Sequence, residues 1–587
     1  MTPSNAAFSL RGRAPRDTDS ISAWSLIKPY WVSEEWKVAW GLLVTIIAMN
    51  LAIVWINVRL NSWNAQFYNA LQEKDVSHFP HLLVVFTVIA FSYIILAVYR
   101  TYLRQMLGFR WRQWITNRFL NEWFGERAFY RIERDRLADN PDQRLSDDLQ
   151  SFATTTLSLS LDLLSTVVTL ISFVTILWTI AGALTVTLGG TPLTIPGYMV
   201  WAAALYALGG SLLIKKVGHP LVSINYQQQR VEADFRFGLI RVRENAEQIA
   251  FYNGIDTENT NARGIFARIR DNWWLIMKYT KRMNFVLSFY GQIAIIFPIV
   301  VASPRYFAGA YTMGVLMQIA QAFGSVSDSF SWFINSYSSL VEWRATVNRL
   351  REFKRVMRAT HLKESVLPST ARGGINLHYV DSSSLSTHGL ELALPKGTPL
   401  ATISDLVIEP GSRWLVRGPS GCGKSTLLRA FAGLWPFGDG AIDVPVGAKT
   451  MFVPQQTYLP IGTLKAALTY PAQADVFSDE ACREALVACR LDDYVDRLTE
   501  SAHWTRVLSP GEQQRLAAAR VLLHKPDFVF LDEATSALDP GNEAHVYRLL
   551  NERLPATAIV SVAHRESLAA FHPHTLDIER HEERAVA

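Results

Sequence analysis

The segment WLVRGPSGCGKSTLL (Trp414–Leu428) reads as an apolar strand, a glycine-rich turn and the start of a helix. Gly418, Gly423, Lys424 and Ser425 satisfy G-x-x-x-x-G-K-[ST] in full, the pattern of a phosphate-binding loop. Its glycines let the backbone curl so that N–H groups from Gly421 to Ser425 converge on phosphate oxygens. Ser420, Cys422 and Thr426 complete the cradle. Lys424 brings a point charge to the outer phosphates, and the Ser425 hydroxyl is a ligand for Mg²⁺.

Downstream, DFVFLDEATSALD (Asp527–Asp539) supplies carboxylates. Phe528–Leu531 has the all-apolar character of a buried parallel strand. It delivers Asp532 to the metal and Glu533 to a place where a base polarises water. TMFV (Thr450–Val453) leads to Gln455, and AIVSVA (Ala558–Ala563) leads to His564. Strands that repeatedly end in polar groups beside one phosphate loop predict a parallel α/β sheet with its ligand at the carboxyl edge. RVLSPGEQQRLAAAR (Arg506–Arg520) opens a helix on Ser509-Pro510-Gly511-Glu512, which is anion-binding chemistry far along the chain from that loop.

The first 340 residues are different in kind. Apolar runs near the ~20 residues that span a bilayer fall at Val38–Val58, Leu82–Tyr99, Leu163–Ile180, Tyr198–Ile214, Phe285–Ala302 and Phe307–Val326. Arginine and lysine crowd the segments between the second and third runs and between the fourth and fifth. AGALTVTLGGTPLTIPG (Ala181–Gly197) has none, and SPRYF (Ser303–Phe307) has only Arg305. Positive charge marks the cytoplasmic side, so both termini are expected inside. The basic segments are long enough for the helices to continue well beyond the bilayer. On the last run Gln318, Gln321, Ser325, Asp328, Trp332, Asn335 and Ser339 share one helix face. Such a stripe faces either a water-filled cavity or another helix. Across the 587 residues the net charge is only +5 and no Lys/Arg block suggests nucleic acid; Cys422, Cys482 and Cys489 fit no metal spacing.

The order phosphate loop, Gln455, LSPGEQQR, LDE, SALD, His564 resembles the nucleotide-binding domain of ABC transporters. The resemblance implies ATP and Mg²⁺ as cofactors, with Gln455 touching the metal and linking the site to the membrane domain. It implies that Ser509 and Gly511 close over the γ-phosphate held by a second copy, that Asp539 lies at the dimer interface, and that His564 contacts the γ-phosphate. Pro510 stands where the family usually has Gly, and Leu394 where many relatives stack an aromatic ring on adenine. Six spans ahead of one cassette resemble an exporter-fold (type IV) half-transporter: an all-α six-helix membrane domain plus an α/β P-loop NTPase. LNSWNAQFYNALQEKD (Leu60–Asp75), LADNPDQRLSDDL (Leu137–Leu149), EADFRFGLIRVRENAEQIAFYNG (Glu232–Gly254) and PRYFAGAYTMGVLMQIAQAFGSV (Pro304–Val326) resemble the SbmA/BacA group and the related ABCD-type proteins.

The expected organisation is a disordered tail over 1–22, a membrane domain over 23–358, a linker over 359–374 and the cassette over 375–587. The resemblance implies a homodimer in a bacterial inner membrane, with its ATP-binding domain cytoplasmic. Its expected activity is ATP-driven uptake of peptides, cobalamin or similar bulky hydrophilic solutes. Export or flipping of lipid, drug or acyl-CoA stays open, as does a membrane-anchored regulatory ATPase.

Overall fold

The apolar runs fold as helices far longer than a bilayer requires. A computed structural model describes residues 22–188, 191–361, 374–563 and 565–579. A short helix, Trp24–Trp31 (α1), precedes Trp36–Glu73 (α2), Phe79–Phe124 (α3), Ala128–Arg134 (α4) and Pro141–Ala181 (α5). A hairpin then pairs Ala183–Leu188 (β1) with Thr191–Pro196 (β2), within the segment that carries no cation. Tyr198–Glu244 (α6), Ile255–Phe307 (α7), Met313–Asn335 (α8) and Tyr337–His361 (α9) follow. At 1.5 Å per residue, the 53 residues of α7 make a rod about 80 Å long, against a hydrocarbon core of about 30 Å.

Five helical runs among the described residues are long and apolar enough to cross a membrane: α2, Phe79–Arg134, α5, α6 and α7. The sixth expected span needs correction. α7 runs on through SPRYF to Phe307, so the run expected over Phe307–Val326 begins as a helix only at Met313. Gly309, at φ +74°, turns the chain, and the Arg305 guanidinium pins the turn to the carbonyls of Ala181 and Ala183. α8 then falls outside the five because its polar stripe interrupts the apolar run. α9 continues through His361, past the Ala359 start expected for the linker, and 362–373 lie outside the described residues.

Two apolar clusters hold this unit. One joins Tyr30, Ile46, Trp111, Phe119, Phe152, Leu350 and Phe353; the other joins Phe173, Leu177, Met199, Ile319 and Phe323. Between α2 and α8 the seam is polar. Asn61, fully buried, donates to the Gln318 carbonyl (3.1 Å) and to Gln321 Oε1 (3.0 Å), and Asn64 adds a second bond to Gln321 (2.6 Å). Gly314 lets the helices touch there, since a Cβ on it would lie 2.0 Å from the Ala65 carbonyl oxygen. The upper half of the stripe is therefore helix–helix glue, whereas Asp328 is exposed in the single chain.

DNPDQR behaves as its proline suggests. α4 ends at Arg134, Asn140 takes φ +48°, and Pro141 opens α5. Seven residues on, buried Asp148 receives two bonds from Arg349 of α9 (2.6 and 2.9 Å) and one from Arg144 (3.0 Å). Glu232 on α6 accepts from Gln228 (2.9 Å), which in turn accepts from Asn272 of α7 (2.9 Å).

The second unit, Leu367–Ala587, contains two five-stranded sheets and a short pairing of Gly462–Thr463 with Ser501–Ala502. Asn376–Val380 (β3), Leu385–Ala393 (β4), Pro399–Thr402 (β5) and Gly438–Pro445 (β7) form a mixed sheet in the order β3-β7-β4-β5, with the short strand Val407–Ile408 also paired to β4. Arg413–Arg417 (β6), Thr450–Val453 (β8), Phe528–Asp532 (β9), Ala558–Val562 (β10) and His574–Asp577 (β11) form the parallel sheet, ordered β11-β6-β10-β9-β8. β9 and β10 are apolar and buried on both faces, as a strand covered by helices on either side requires. The helices that concern the site are Lys424–Phe431 (α10), Asp479–Ala488 (α11), Pro510–His524 (α12) and Pro540–Arg553 (α13).

Candidate functional site

Strand β6 ends at Arg417 and α10 begins at Lys424, so six residues must reverse the chain between them. Gly418 (φ +147°), Gly421 (φ +79°) and Gly423 (φ +108°) do this in conformations that side chains resist. A Cβ on Gly418 would meet the Ile578 carbonyl at 2.5 Å. Cys422 is buried in the apolar core beneath the loop, so only its backbone can serve a ligand, while Ser420 is exposed and Thr426 half-buried. Lys424 Nζ is folded over the loop, donating to the carbonyls of Gly418 (2.7 Å) and Pro419 (3.0 Å).

Two neighbouring strands bring the remaining chemistry to this loop. The Ser425 hydroxyl donates to Asp532 Oδ1 at 2.9 Å. Burial raises the Asp532 carboxyl above its usual range; the Ser425 bond opposes that, and the adjacent Glu533 charge adds to it. Gln455, past the end of β8, donates to Glu533 Oε2 at 2.9 Å. Glu533 itself takes φ +49°, a left-handed conformation uncommon for a glutamate, of the kind that clusters at functional sites. His564 lies outside the described residues.

The anion-binding helix start is built separately. Ser509 is the N-cap of α12 and forms a capping box with Glu512: its hydroxyl (2.7 Å) and N–H (2.8 Å) both donate to Glu512 Oε2. Burial alone would raise the Glu512 carboxyl, but the Ser509 bonds and one from Tyr494 (3.2 Å) bring it below its usual range. Pro510 occupies the first helical position, where its missing N–H leaves no helical bond unmade. Among the described residues no hydrogen bond joins Ser509, Gly511 or Asp539 to loop 418–426 of the same chain. Asp539 caps α13, accepting from the N–H groups of Gly541 and Asn542 at 3.0 Å each.

Sequence reading missed what joins these parts. Gln514, buried and five residues into α12, accepts from the Ala537 N–H (2.9 Å) and donates to Ser536 Oγ (3.2 Å). Arg565 donates to the Leu538 carbonyl (2.9 Å) and to Glu543 Oε2 (3.1 Å), while Glu543 Oε1 accepts from Thr535 (2.8 Å). The 535–539 turn is thus clamped from both sides, immediately after Glu533. The available signal was that Gln514 and Glu543 are polar residues on the buried faces of their helices.

Residues 26–307 match the family model described as ABC transporter transmembrane region 2, and residues 402–536 match the model described as ABC transporter. The chain is 33% identical to the inner membrane ABC transporter ATP-binding protein YddA of Escherichia coli, over 92% of this chain and 94% of that one. It is 32% identical to the chloroplastic ABC transporter D family member 2 of Arabidopsis thaliana (94% and 85%) and 26% identical to the human lysosomal cobalamin transporter ABCD4 (92% and 91%). A bacterial Atm1-family ABC exporter solved with ATP bound superposes with a TM-score of 0.68 over 92% of this chain and 94% of that one, at 17% identity. The chain belongs to the ABC transporters: it is a half-transporter homologous to the D family, with one membrane region fused to one ATPase whose ATP hydrolysis is coupled to solute transport across a membrane.

Proposed function

We propose that two copies of this chain form a homodimer in a bacterial inner membrane and take up bulky hydrophilic solutes, such as peptides or cobalamin, at the expense of ATP. The observation that carries the dimer is the separation within one chain of two halves of a nucleotide site. The phosphate loop, Asp532, Glu533 and Gln455 stand together, whereas Ser509 and Gly511 make no bond to that group. A second cassette facing the first supplies the missing half to each.

In this reading the loop N–H groups of Gly421–Ser425 and the Lys424 charge hold the β- and γ-phosphates, and Glu533 takes a proton from the attacking water. Gln455 orients Glu533 through the bond already formed between them. The Ser425 hydroxyl and the Asp532 carboxylate, 2.9 Å apart, fit a small hard cation with oxygen ligands, and Gln455 has a carbonyl oxygen to add. Mg²⁺ held there supplies positive charge against the developing negative charge on the phosphates. Ser509 and the helix start of the facing copy donate to the γ-phosphate, as does His564.

The arginine-rich segments support placing both termini and the cassette in the cytoplasm. The four membrane-domain stretches quoted above support the SbmA/BacA-like assignment within the family. The cobalamin relative supports a bulky hydrophilic solute, while the exporter fold neighbour favours export as a second reading. Proteoliposomes with the cassettes outside decide between them. ATP-dependent loss of preloaded labelled peptide or cobalamin from the lumen, abolished by Glu533→Gln, is the expected result, because uptake runs toward the cassette side. Accumulation inside the vesicles establishes export, and no movement of any panel member in either direction overturns the transport assignment of these solutes.

A further inference from the structure

α6 and α7 run antiparallel, and several contacts fix their register. Tyr206 stacks on Tyr290 with ring centroids 4.5 Å apart, a Cβ on Gly218 would touch Met283 Sδ at 3.3 Å, and Asn272 donates to the Ile224 carbonyl. That register sets Lys215 and Lys216 of α6 level with Lys281 and Arg282 of α7, with Lys278 one turn further along. All five side chains are exposed. Among the described residues none of the five makes an ion pair with a carboxylate, and neither helix carries an acid between 212 and 222 or between 275 and 287.

The helix faces that carry these cations are informative. On α7 the exposed residues Ile296, Phe289 and Phe285 recur at helical spacing, and the same face continues into Arg282, Lys281, Lys278 and the exposed Trp274. On α6 the exposed Leu205, Leu208 and Leu212 lead in the same way to Lys216 and His219. An apolar face, exposed in the single chain, that gives way at one level to cations with no carboxylate partner and a tryptophan is the profile of a helix passing from hydrocarbon into a headgroup layer. Two such faces side by side place five positive charges where lipid phosphates lie.

We propose that this α6–α7 surface binds the headgroup of an anionic phospholipid, with Lys215, Lys216, Lys278, Lys281 and Arg282 around the phosphate and the acyl chains along the leucine and phenylalanine faces above. The site is independent of which solute is moved. Each cation near a negatively charged membrane surface strengthens binding by about fivefold, so removing three weakens it by about 100-fold.

The test uses the full chain in nanodiscs of phosphatidylcholine, titrated with fluorescent phosphatidylglycerol. The wild type and a Lys278→Gln/Lys281→Gln/Arg282→Gln variant are compared, with Arg263→Gln/Arg268→Gln/Arg270→Gln as a charge-matched control further along α7. ATP turnover in pure phosphatidylcholine reports folding, and Lys278→Arg/Lys281→Arg separates charge from shape. The expected result is weakened binding for the Gln variant alone, with the Arg variant and the control like wild type. Equal binding by wild type and Gln variant overturns the proposal and leaves these cations as determinants of orientation only. Displacement by soluble inorganic phosphate at similar concentration overturns it in favour of a free-phosphate site, and equal competition by phosphatidylcholine shows an apolar face alone.

Discussion

The cassette and the membrane unit use the same polar side chains in opposite ways. In the cassette they converge: Ser425 on Asp532, Gln455 on Glu533, each pair at the end of a strand and beside one loop. In the membrane unit they are consumed in holding helices together, Asn61 and Asn64 on Gln321, Arg349 on Asp148. A buried polar group without a partner costs about 1–3 kcal/mol, and apolar surroundings leave only other helices to supply one. A glutamine beside a phosphate loop is therefore a candidate for chemistry, while a glutamine in a span does not by itself mark the path of a solute.

The largest expected effect breaks or keeps that contrast at Glu533. Glu533→Gln should lower ATP turnover by about 1,000-fold while nucleotide binding persists, measured as steady-state phosphate release beside equilibrium binding. Turnover within tenfold of the parent would make Glu533 a mere partner for Gln455, no different in kind from Gln321. Next, Ser509→Ala removes a donor that the facing copy is proposed to need, and turnover should fall by about 100-fold. Loss of the helix cap alone costs about 1 kcal/mol of stability, which a melting curve separates from the kinetic loss.

A third expectation concerns acid. Asp532 must be ionised to hold a cation, and burial raises its pKa above the ordinary carboxylate range. As pH falls through that raised value the protonated form grows, so Mg²⁺-dependent turnover should fall about tenfold per pH unit below it. The decline should begin at higher pH than for an ordinary carboxylate, and added Mg²⁺ should move it back. On the membrane side Asn61→Ala strips donors from Gln318 and Gln321 and should cost about 1–3 kcal/mol, read as a lower melting midpoint in lipid. ATP binding by the cassette should stay as in the parent. The smallest effect is at Leu394, which is partly exposed in the β4–β5 turn that closes through its own N–H to the Thr398 carbonyl (2.8 Å). Leu394→Tyr offers a ring to adenine and should lower the KM for ATP by about fivefold, equivalent to about 1 kcal/mol of stacking.

The phosphate loop, the acidic strand end and the capping box were legible because each depends on a few consecutive residues. Gly418, Gly421 and Gly423 turn the chain through their own φ angles, and β9 is buried because four consecutive residues, Phe528–Leu531, suit burial. Pro141 opened a helix where its fixed φ allows one. The apolar lengths, also a local property, pointed to the long apolar helices, and the arginine distribution carries the expected orientation. What required the tertiary structure was pairing between distant segments: Gln514 on Ala537, Arg565 on Glu543, Asn61 on Gln321 across more than 250 residues. The true start of the sixth helix belongs with these, because Arg305 in the last turn of α7 and the Ala181 and Ala183 carbonyls at the end of α5 and the start of β1 decide it. Backbone torsion and burial period are written residue by residue, so sequence alone determined them. A side chain's partner depends on which faces meet once the helices pack, and that only the folded chain decided.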